Sequence, residues 1–304
     1  MHTITLRQLR YAQIIAEEGH FGRAAERCHV TQPALSQQIK QLEERCGAPL
    51  FDRLGKSVRV TPYGRDFLAH AARVLSAAQD LETFADMAAG QPVRPLRLGL
   101  IPTVAPYLLP RLLPALAQGL PDIQFAVSEG KTERLLASVT EGDLDIALLG
   151  TMPPAPGFES TALFSDPFIL AAPGGARLAN PVSLHQLPDD RFLLLEEGHC
   201  LRDQMLDACS LKADIPGRSF AATSLTTILE LVAAGYGYTL LPAISLRREM
   251  SDRRIEIHEL AAPGAARTLR LVWRTGSPYE ALFHSIAQIT RKTGETLLAS
   301  DIGP

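Results

Sequence analysis

The chain has 304 residues, enough for two or three domains that each bury a core, with 46% hydrophobic and 21% charged residues as in an ordinary soluble globular protein. No segment approaches the roughly 18 apolar residues needed to cross a bilayer, and the start, MHTITLRQLRYAQ, has no apolar stretch like that of a signal peptide. Net charge is −3, and four cysteines in a chain of this length are no disulfide framework, so the expected setting is the cytosol, with any disulfide transient and redox-linked.

Charge is unevenly distributed. Residues 1–65 carry ten Lys/Arg against six Asp/Glu, leaving 20 against 27 for the remainder. A basic N-terminal module on an acidic body is what a small DNA-reading domain attached to something else looks like.

In residues 6–18, Leu6, Leu9, Ala12 or Gln13, and Ala16 recur at helical spacing. GHFGRAAERCHV follows as a short helix with Phe21, Ala24, Ala25 and Cys28 on one face. TQPALSQQIKQLEERCG begins a third, with Thr31 as N-cap, Pro33 in the first turn and Gly47 as the stop. Leu35, Ile39, Leu42 and Cys46 line its apolar face, leaving Gln32, Ser36, Gln37 and Lys40 on the other. Two short helices with a tight turn make a helix-turn-helix, and such polar side chains can bond base edges and phosphates in a major groove. The same pattern also fits a solvated amphipathic helix. PLFDRLGKSVRVTPYG then reads as a hairpin with basic tips Arg53, Lys56 and Arg59, the shape of a wing on the phosphate backbone. Cys28 and Cys46 are expected in the core.

The run AAERCHVTQPALSQQIKQLEERCGAPLFDRLGKSVRVTPYG resembles the winged helix-turn-helix of the LysR-type transcriptional regulators, in unbroken order. The resemblance implies DNA contacts from Thr31, Gln32, Pro33, Ser36, Gln37 and Lys40 on the helix and from Arg53 and Arg59 on the wing. Residues 62–90 form a long one-sided helix with Phe67, Leu68, Ala71, Val74, Leu75, Ala78, Leu81 and Ala85 as its stripe, which needs a partner to cover it. In the family this is a linker helix that pairs two subunits. QPVRP at 91–95 breaks the helix and marks a boundary.

From 95 onward strands and helices alternate, which predicts a mostly parallel α/β sheet with ligands at the carboxyl ends of strands. LRLGLI, IQFAVSEG and LDIALLG read as strands of a first set; FILAAPGG, FLLLEEGH, RSFAATS and YGYTLLPA belong to a second. TLRLVWR and the final helix return to the first. The expected fold is thus an α/β body of two lobes joined by two crossings, resembling the periplasmic-binding-protein-like effector domain of the same family. The expected division is 1–62 for the winged helix-turn-helix, 63–90 for the linker helix and 95–304 for the regulatory domain. Lobe I covers about 95–165 and 268–304, and lobe II about 166–267.

Thr103 and Thr132 stand at strand-to-helix switches. Each fits a helix cap, and each equally fits a hydroxyl that faces an inter-lobe cleft and binds a small polar effector. Ser224 reads as a plain cap. In GHCLRDQMLDAC, Cys200 begins a helix where N–H groups and the dipole stabilise a thiolate, with His199 and Arg202 beside it. Leu201, Met205 and Cys209 fall on a buried face. Were the stretch one continuous helix, the separation of nine positions between the cysteines would span about 13.5 Å, against the roughly 4.4–6.8 Å between Cα atoms of a disulfide. Joining them would then require refolding, and a bond of that kind is a switch. The residues alone leave open two inert cysteines, a reactive pair, or a His199–Cys200–Cys209 metal site that lacks a fourth ligand.

LLEEGHCLRDQMLDAC, GLIPTVAPYLLP and ATSLTTILELVAAGYGYTLLPA resemble the peroxide-responsive members of the LysR family. That resemblance implies that hydrogen peroxide oxidises Cys200 to a sulfenic acid, which condenses with Cys209 to a reversible disulfide. Peroxide would sit by Thr103, Thr132, His199, Cys200 and Arg202, and cellular dithiols would reset the switch. The implied protein is a transcriptional activator of oxidative-stress genes in the bacterial cytoplasm. It would act on promoter DNA with RNA polymerase, as a dimer through the linker helix and a homotetramer, with no cofactor, metal or membrane. Two other readings carry tests: a family member that binds a metabolite in the inter-lobe cleft would keep its response in Cys200→Ser, and a thiol peroxidase would consume peroxide catalytically. The winged helix-turn-helix, of no use in an enzyme, argues against the latter.

Overall fold

The first three helices begin on side-chain caps. Thr5 and Gln8 bond reciprocally, Thr5 N to Gln8 Oε1 at 3.1 Å and Gln8 N to Thr5 Oγ1 at 3.3 Å, a capping box that starts α1 (Leu6–Glu18). Gly19 ends it at φ 59°, a left-handed conformation that costs glycine nothing. His20 Nδ1 accepts from Gly22 N at 2.9 Å and caps α2 (Phe21–Arg27). Thr31 caps α3 (Gln32–Cys46), which stops at Gly47 with φ 71°. The computed structural model describes residues 3–54, 57–88, 94–154, 156–209, 222–249 and 254–301. Two compact units divide the chain: Met1–Val93 with Thr140–Asp143, and Arg94–Val139 with Leu144–Pro304.

In the first unit Leu35, Ile39 and Leu42 of α3 pack with Ala12, Ile15, Phe21 and Ala24. Each fully buried large side chain contributes about 1.5–3 kcal/mol. The inward face of α1 differs from the expected one: Leu9, Ala12 and Ile15 are buried, whereas Leu6 is 48% exposed and Ala16 only half-buried. Leu6 lies at the open first turn, and Ile15, two turns beyond Gln8, takes the inward position instead. Cys28 and Cys46 pack against this core, and burial raises both thiols above their ordinary value.

β1 (Phe51–Leu54) and β2 (Ser57–Val60) form the expected hairpin, from Phe51 opposite Val60 to Leu54 opposite Ser57. Glu43 Oε1 anchors it by accepting from Leu50 N at 2.8 Å and Phe51 N at 3.2 Å. Lys56 and the side chain of Arg53 lie outside the described residues. α4 (Pro62–Ala88) presents Ala71, Ala72, Ser76 and Thr83 inward, while Val74, Leu81 and Phe84 are exposed.

The second unit begins with β3 (Leu96–Leu100), α5 (Ala105–Gly119), β4 (Phe125–Glu129), α6 (Thr132–Glu141) and β5 (Ile146–Leu149). β6 (Phe158–Pro173) is a single 16-residue strand that runs out of this lobe. α7 (Cys200–Ala208), α8 (Leu225–Ala233), β7 (Thr239–Pro242), α9 (Leu246–Glu249) and β8 (Ile255–His258) follow. β9 (Ala266–Arg274) returns beside β6, and α10 (Glu280–Asp301) packs against α5. The strand order is β4-β3-β5-β9-β6-β7, with β8 also on β6.

The expected sheet was mostly parallel, and that is corrected: β3 pairs in parallel with β4 and β5, but every pairing of β6 and β9 is antiparallel. One strand leaves the first lobe and the other re-enters it, so the two crossings must run in opposite directions. FLLLEEGH is a second correction, since it makes only isolated bridges, Phe192 to Tyr238 and Leu195 to Ala222, in place of a continuous strand. RSFAATS and QPVRP fall mainly outside the described residues. No helix among the described residues is long and apolar enough to cross a membrane.

Candidate thiol site and DNA-reading face

Cys200 is the first residue of α7 and lines one tight pocket. Ile101, Pro102 and Thr103 line it from the turn after β3, Lys131 and Thr132 from the start of α6, and Gly198 and His199 from the loop before α7. Thr103, His199 and Cys200 are 3%, 5% and 8% exposed. No side chain caps α7, so its first-turn N–H groups and positive dipole end remain next to the thiol.

Neither threonine caps its helix, which removes the capping explanation for both. Val104 occupies the N-cap position of α5 without a side-chain bond. Thr103 instead accepts from Arg267, Nη1 to Oγ1 at 2.7 Å and Nη2 to the carbonyl oxygen at 3.0 Å. A guanidinium accepts nothing, so the Thr103 hydroxyl keeps its own proton to donate elsewhere. Thr132 is the first residue of α6, and its Oγ1 is buried with no hydrogen-bond partner among the described residues. A buried hydroxyl left alone costs free energy, so it marks a place for a small polar ligand. Ser224, by contrast, is the plain cap expected, accepting from Thr227 N at 3.2 Å.

Arg267 is itself held by Asp166, Nε to Oδ2 at 2.9 Å, and Asp166 Oδ1 accepts from Ile244 N at 3.1 Å. Both ionic side chains are fully buried, one on each crossing strand. Burial pushes the Asp166 carboxyl up, against the opposing pull of the guanidinium.

His199 Nε2 lies 3.7 Å from Glu196 Oε1. Burial, and then the charge of Lys131, hold the imidazole below its ordinary value, so it is neutral at neutral pH. Gln204, one turn after Cys200, donates to Gly150 O at 2.6 Å, while its own Oε1 is buried without a partner among the described residues. Gly150 fits closely there: a Cβ on it would sit 3.5 Å from Cys200 Sγ.

Arg202 does not line the pocket; its Nη1 donates to Leu195 O at 3.2 Å. Cys209 is buried at the C-cap of α7, on the face of Leu201 and Met205. With α7 continuous, the two cysteines stand about 13.5 Å apart along its axis, and no disulfide joins them.

On the first unit Thr31, Gln32, Pro33, Gln37 and Lys40 are exposed on one side of α3, and Ser36 is half-buried. Among the described residues Lys40 pairs only with Glu44 at 3.7 Å, both well exposed, so its ammonium is available to a stronger anion. Arg59 is exposed on β2.

Residues missed at the sequence level are Lys131, Gly150, Gln204 and Arg267. Gln204 was reachable, because i and i+4 share a helix face. Arg267 was not, lying 164 positions from its partner Thr103.

A helix-turn-helix with a free polar face, on a chain that also builds a two-lobed α/β unit around a small buried pocket, defines a signal-responsive DNA-binding regulator. Residues 6–65 match the bacterial regulatory helix-turn-helix protein, lysR family, and residues 89–294 match the LysR substrate binding domain. The chain belongs to the LysR family of bacterial transcriptional regulators. It is 38% identical to the hydrogen peroxide-inducible genes activator of Pectobacterium carotovorum over 95% of this chain and 96% of that one. It is 37% identical to the DNA-binding transcriptional dual regulator OxyR of Escherichia coli K12, covering 95% of each. Among solved structures it is similar to a cysteine-to-aspartate variant of full-length OxyR from Pseudomonas aeruginosa, with TM-score 0.77, 34% identity and coverage of 95% and 98%. A hydrogen peroxide-bound cysteine-to-serine variant of OxyR from Corynebacterium glutamicum matches with TM-score 0.64 and 34% identity over 99% of this chain and 97% of that one.

Proposed function

We propose that the protein senses hydrogen peroxide through Cys200 and Cys209 and so controls transcription of oxidative-stress genes as an activator. The observation that carries this reading is a thiol at a bare helix N-terminus, sharing a small pocket with the Thr132 hydroxyl, which has no partner among the described residues, and the Arg267-held Thr103 hydroxyl. The pocket is tight, with Ile101, Thr103, His199 and Cys200 all buried, which favours a ligand as small as peroxide over a metabolite. The relatives named for peroxide induction, and the peroxide-bound one, lend the same support.

In this reading the Cys200 thiolate attacks one peroxide oxygen and the O–O bond breaks. Sulfur gains a hydroxyl as sulfenic acid, and the second oxygen leaves as hydroxide, protonated to water. The threonine hydroxyls position peroxide and donate to the oxygen that gains charge; neutral His199 closes the wall. The Cys209 thiol then displaces water from the sulfenic sulfur to give the disulfide. Since α7 holds the sulfurs apart, the disulfide forms only as the helix unwinds, which converts oxidation into a conformational signal. Cellular dithiols reverse it, so the reaction is a stoichiometric switch and no enzyme turnover is involved.

Residues 1–62 read DNA, 63–90 pair two subunits through the exposed Val74 and Leu81 of α4, and 95–304 form the sensor, lobes I and II meeting near 166 and 267. The assembly is a tetramer that recruits RNA polymerase at promoter DNA in the cytoplasm. Brief peroxide exposure followed by thiol trapping and mass spectrometry is expected to yield a linked Cys200–Cys209 peptide. Cys200 left unmodified at peroxide levels that oxidise cellular sensors overturns the reading.

The DNA-reading assignment takes Thr31, Gln32, Pro33, Ser36, Gln37 and Lys40 on α3, with Arg53 and Arg59 on the wing. Gln37→Ala is expected to cost about 1–3 kcal/mol on the best promoter sequence and to relax preference at one base position. Arg59→Ala should weaken all sequences alike and reduce the salt dependence of binding by about one charge. Titrations at several salt concentrations separate the two; equal losses on every sequence for both variants would remove Gln37 from base readout.

A further inference from the structure

We infer that Lys131 is a specificity-determining residue of the thiol pocket, a strap across its mouth that admits hydrogen peroxide and restricts bulkier hydroperoxides. The inference rests on the peroxide-sensing reading above and assigns that site a selectivity among hydroperoxides. The inner wall is made of buried groups, Ile101, Thr103, His199 and Cys200, so peroxide cannot arrive from that side. The more open lining residues are Pro102, Lys131, Thr132 and Gly198, of which Gly198 is exposed. The mouth therefore lies between the start of α6 and the loop before α7.

Lys131 spans that gap. Its Nζ donates to Glu196 Oε1 at 2.5 Å and to Glu197 O at 3.0 Å, both on the far side, and its side chain is 40% exposed. Between its backbone and that anchor the aliphatic stem passes directly over Gly198: a Cβ on Gly198 would meet Lys131 Cδ at 3.2 Å and Nζ at 3.6 Å. Gly198 also has φ +86°, a conformation other residues seldom adopt, so the loop bends away and leaves room for the stem. Two hydrogen bonds to one ammonium, one of them to a carboxylate, fix the far end better than an exposed lysine normally is. A molecule of two oxygens passes beside such a stem; one that carries a tertiary butyl group must displace it.

The balanced step is the same for both oxidants. The Cys200 thiolate takes the terminal oxygen of the hydroperoxide, forming sulfenic acid, and hydroxide or tert-butoxide leaves and is protonated. Only access differs. The test uses full-length Cys209→Ser protein, in which no disulfide can form, and measures the initial rate of Cys200 oxidation by trapping the sulfenic acid and mass spectrometry. Hydrogen peroxide and tert-butyl hydroperoxide are compared with Lys131 intact, in Lys131→Ala and in Lys131→Met. Removal of several methylenes from a pocket wall shifts discrimination by about tenfold or more, so Lys131→Ala is expected to raise the tert-butyl-to-hydrogen peroxide rate ratio by at least that factor. Lys131→Met, which keeps the stem without its anchor, should fall between. An unchanged ratio in Lys131→Ala overturns the inference, as does an equal change in both rates. If Cys200 reacts with neither oxidant when Lys131 is intact, the sensing reading itself fails, and the strap with it.

Discussion

Cys200→Ser is expected to abolish every peroxide-dependent change in the protein while leaving the fold and basal DNA binding intact. Serine is nearly isosteric with cysteine, and Leu201 and Met205, fully buried on α7, hold the helix without help from the sulfur. The hydroxyl is a far weaker nucleophile near neutral pH, since only the thiolate form of cysteine supplies the reactivity. Mobility shifts on promoter DNA with and without peroxide are therefore expected to differ for the natural protein and coincide for the variant. Cys209→Ser should behave differently: Cys200 still oxidises, but with no resolving thiol it passes on to sulfinic acid and the response becomes irreversible. A Cys200→Ser protein that retains its peroxide response would overturn the assignment of Cys200 as the sensing thiol.

Arg267→Ala is expected to produce the largest stability loss of any single change at the site. It leaves the Asp166 carboxylate, fully buried, with only backbone partners, and breaking a buried pair in this way costs about 3–5 kcal/mol. Asp166→Ala should cost a similar amount by stranding the guanidinium. The pair itself is worth less than either loss suggests, because both ions were desolvated to form it. The double variant Asp166→Leu with Arg267→Met is thus expected to be more stable than either single variant. Urea unfolding of the regulatory unit, followed by the fluorescence of buried Trp273, measures all three. Additive losses would mean that the two side chains act separately. Because Arg267 also orients Thr103, the double variant should stay folded yet oxidise at Cys200 more slowly, which separates the architectural role from the sensing one.

Much of the DNA-reading unit was legible because its signals are local. Thr31, Gly47 and the spacing of Leu35, Ile39 and Leu42 each act within one or two helical turns, and the structure uses them as expected. Leu6 misled for a physical reason: periodicity ranks positions on a face but does not say where the face stops being covered. The α/β alternation was legible too, but not the sheet's polarity, since strand direction depends on which lobe each strand joins. The site was legible only in part. GHCLRDQ placed a cysteine at a helix start, and the flanking threonines were found, although as caps and ligands equally.

What the sequence determined by itself was the set of elements, the winged helix-turn-helix, and a pair of cysteines at the two ends of one short helix. Those follow from chain-local physics, in caps, periodicity and helix rise. The tertiary structure alone decided that Thr103 answers to Arg267, that the Thr132 hydroxyl is left without a partner among the described residues, and that Lys131 crosses the pocket to Glu196. Each of those depends on residues brought together only when β6 and β9 cross between the lobes or when α6 meets the loop before α7. Packing geometry sets such contacts, and no pattern of neighbouring residues encodes them.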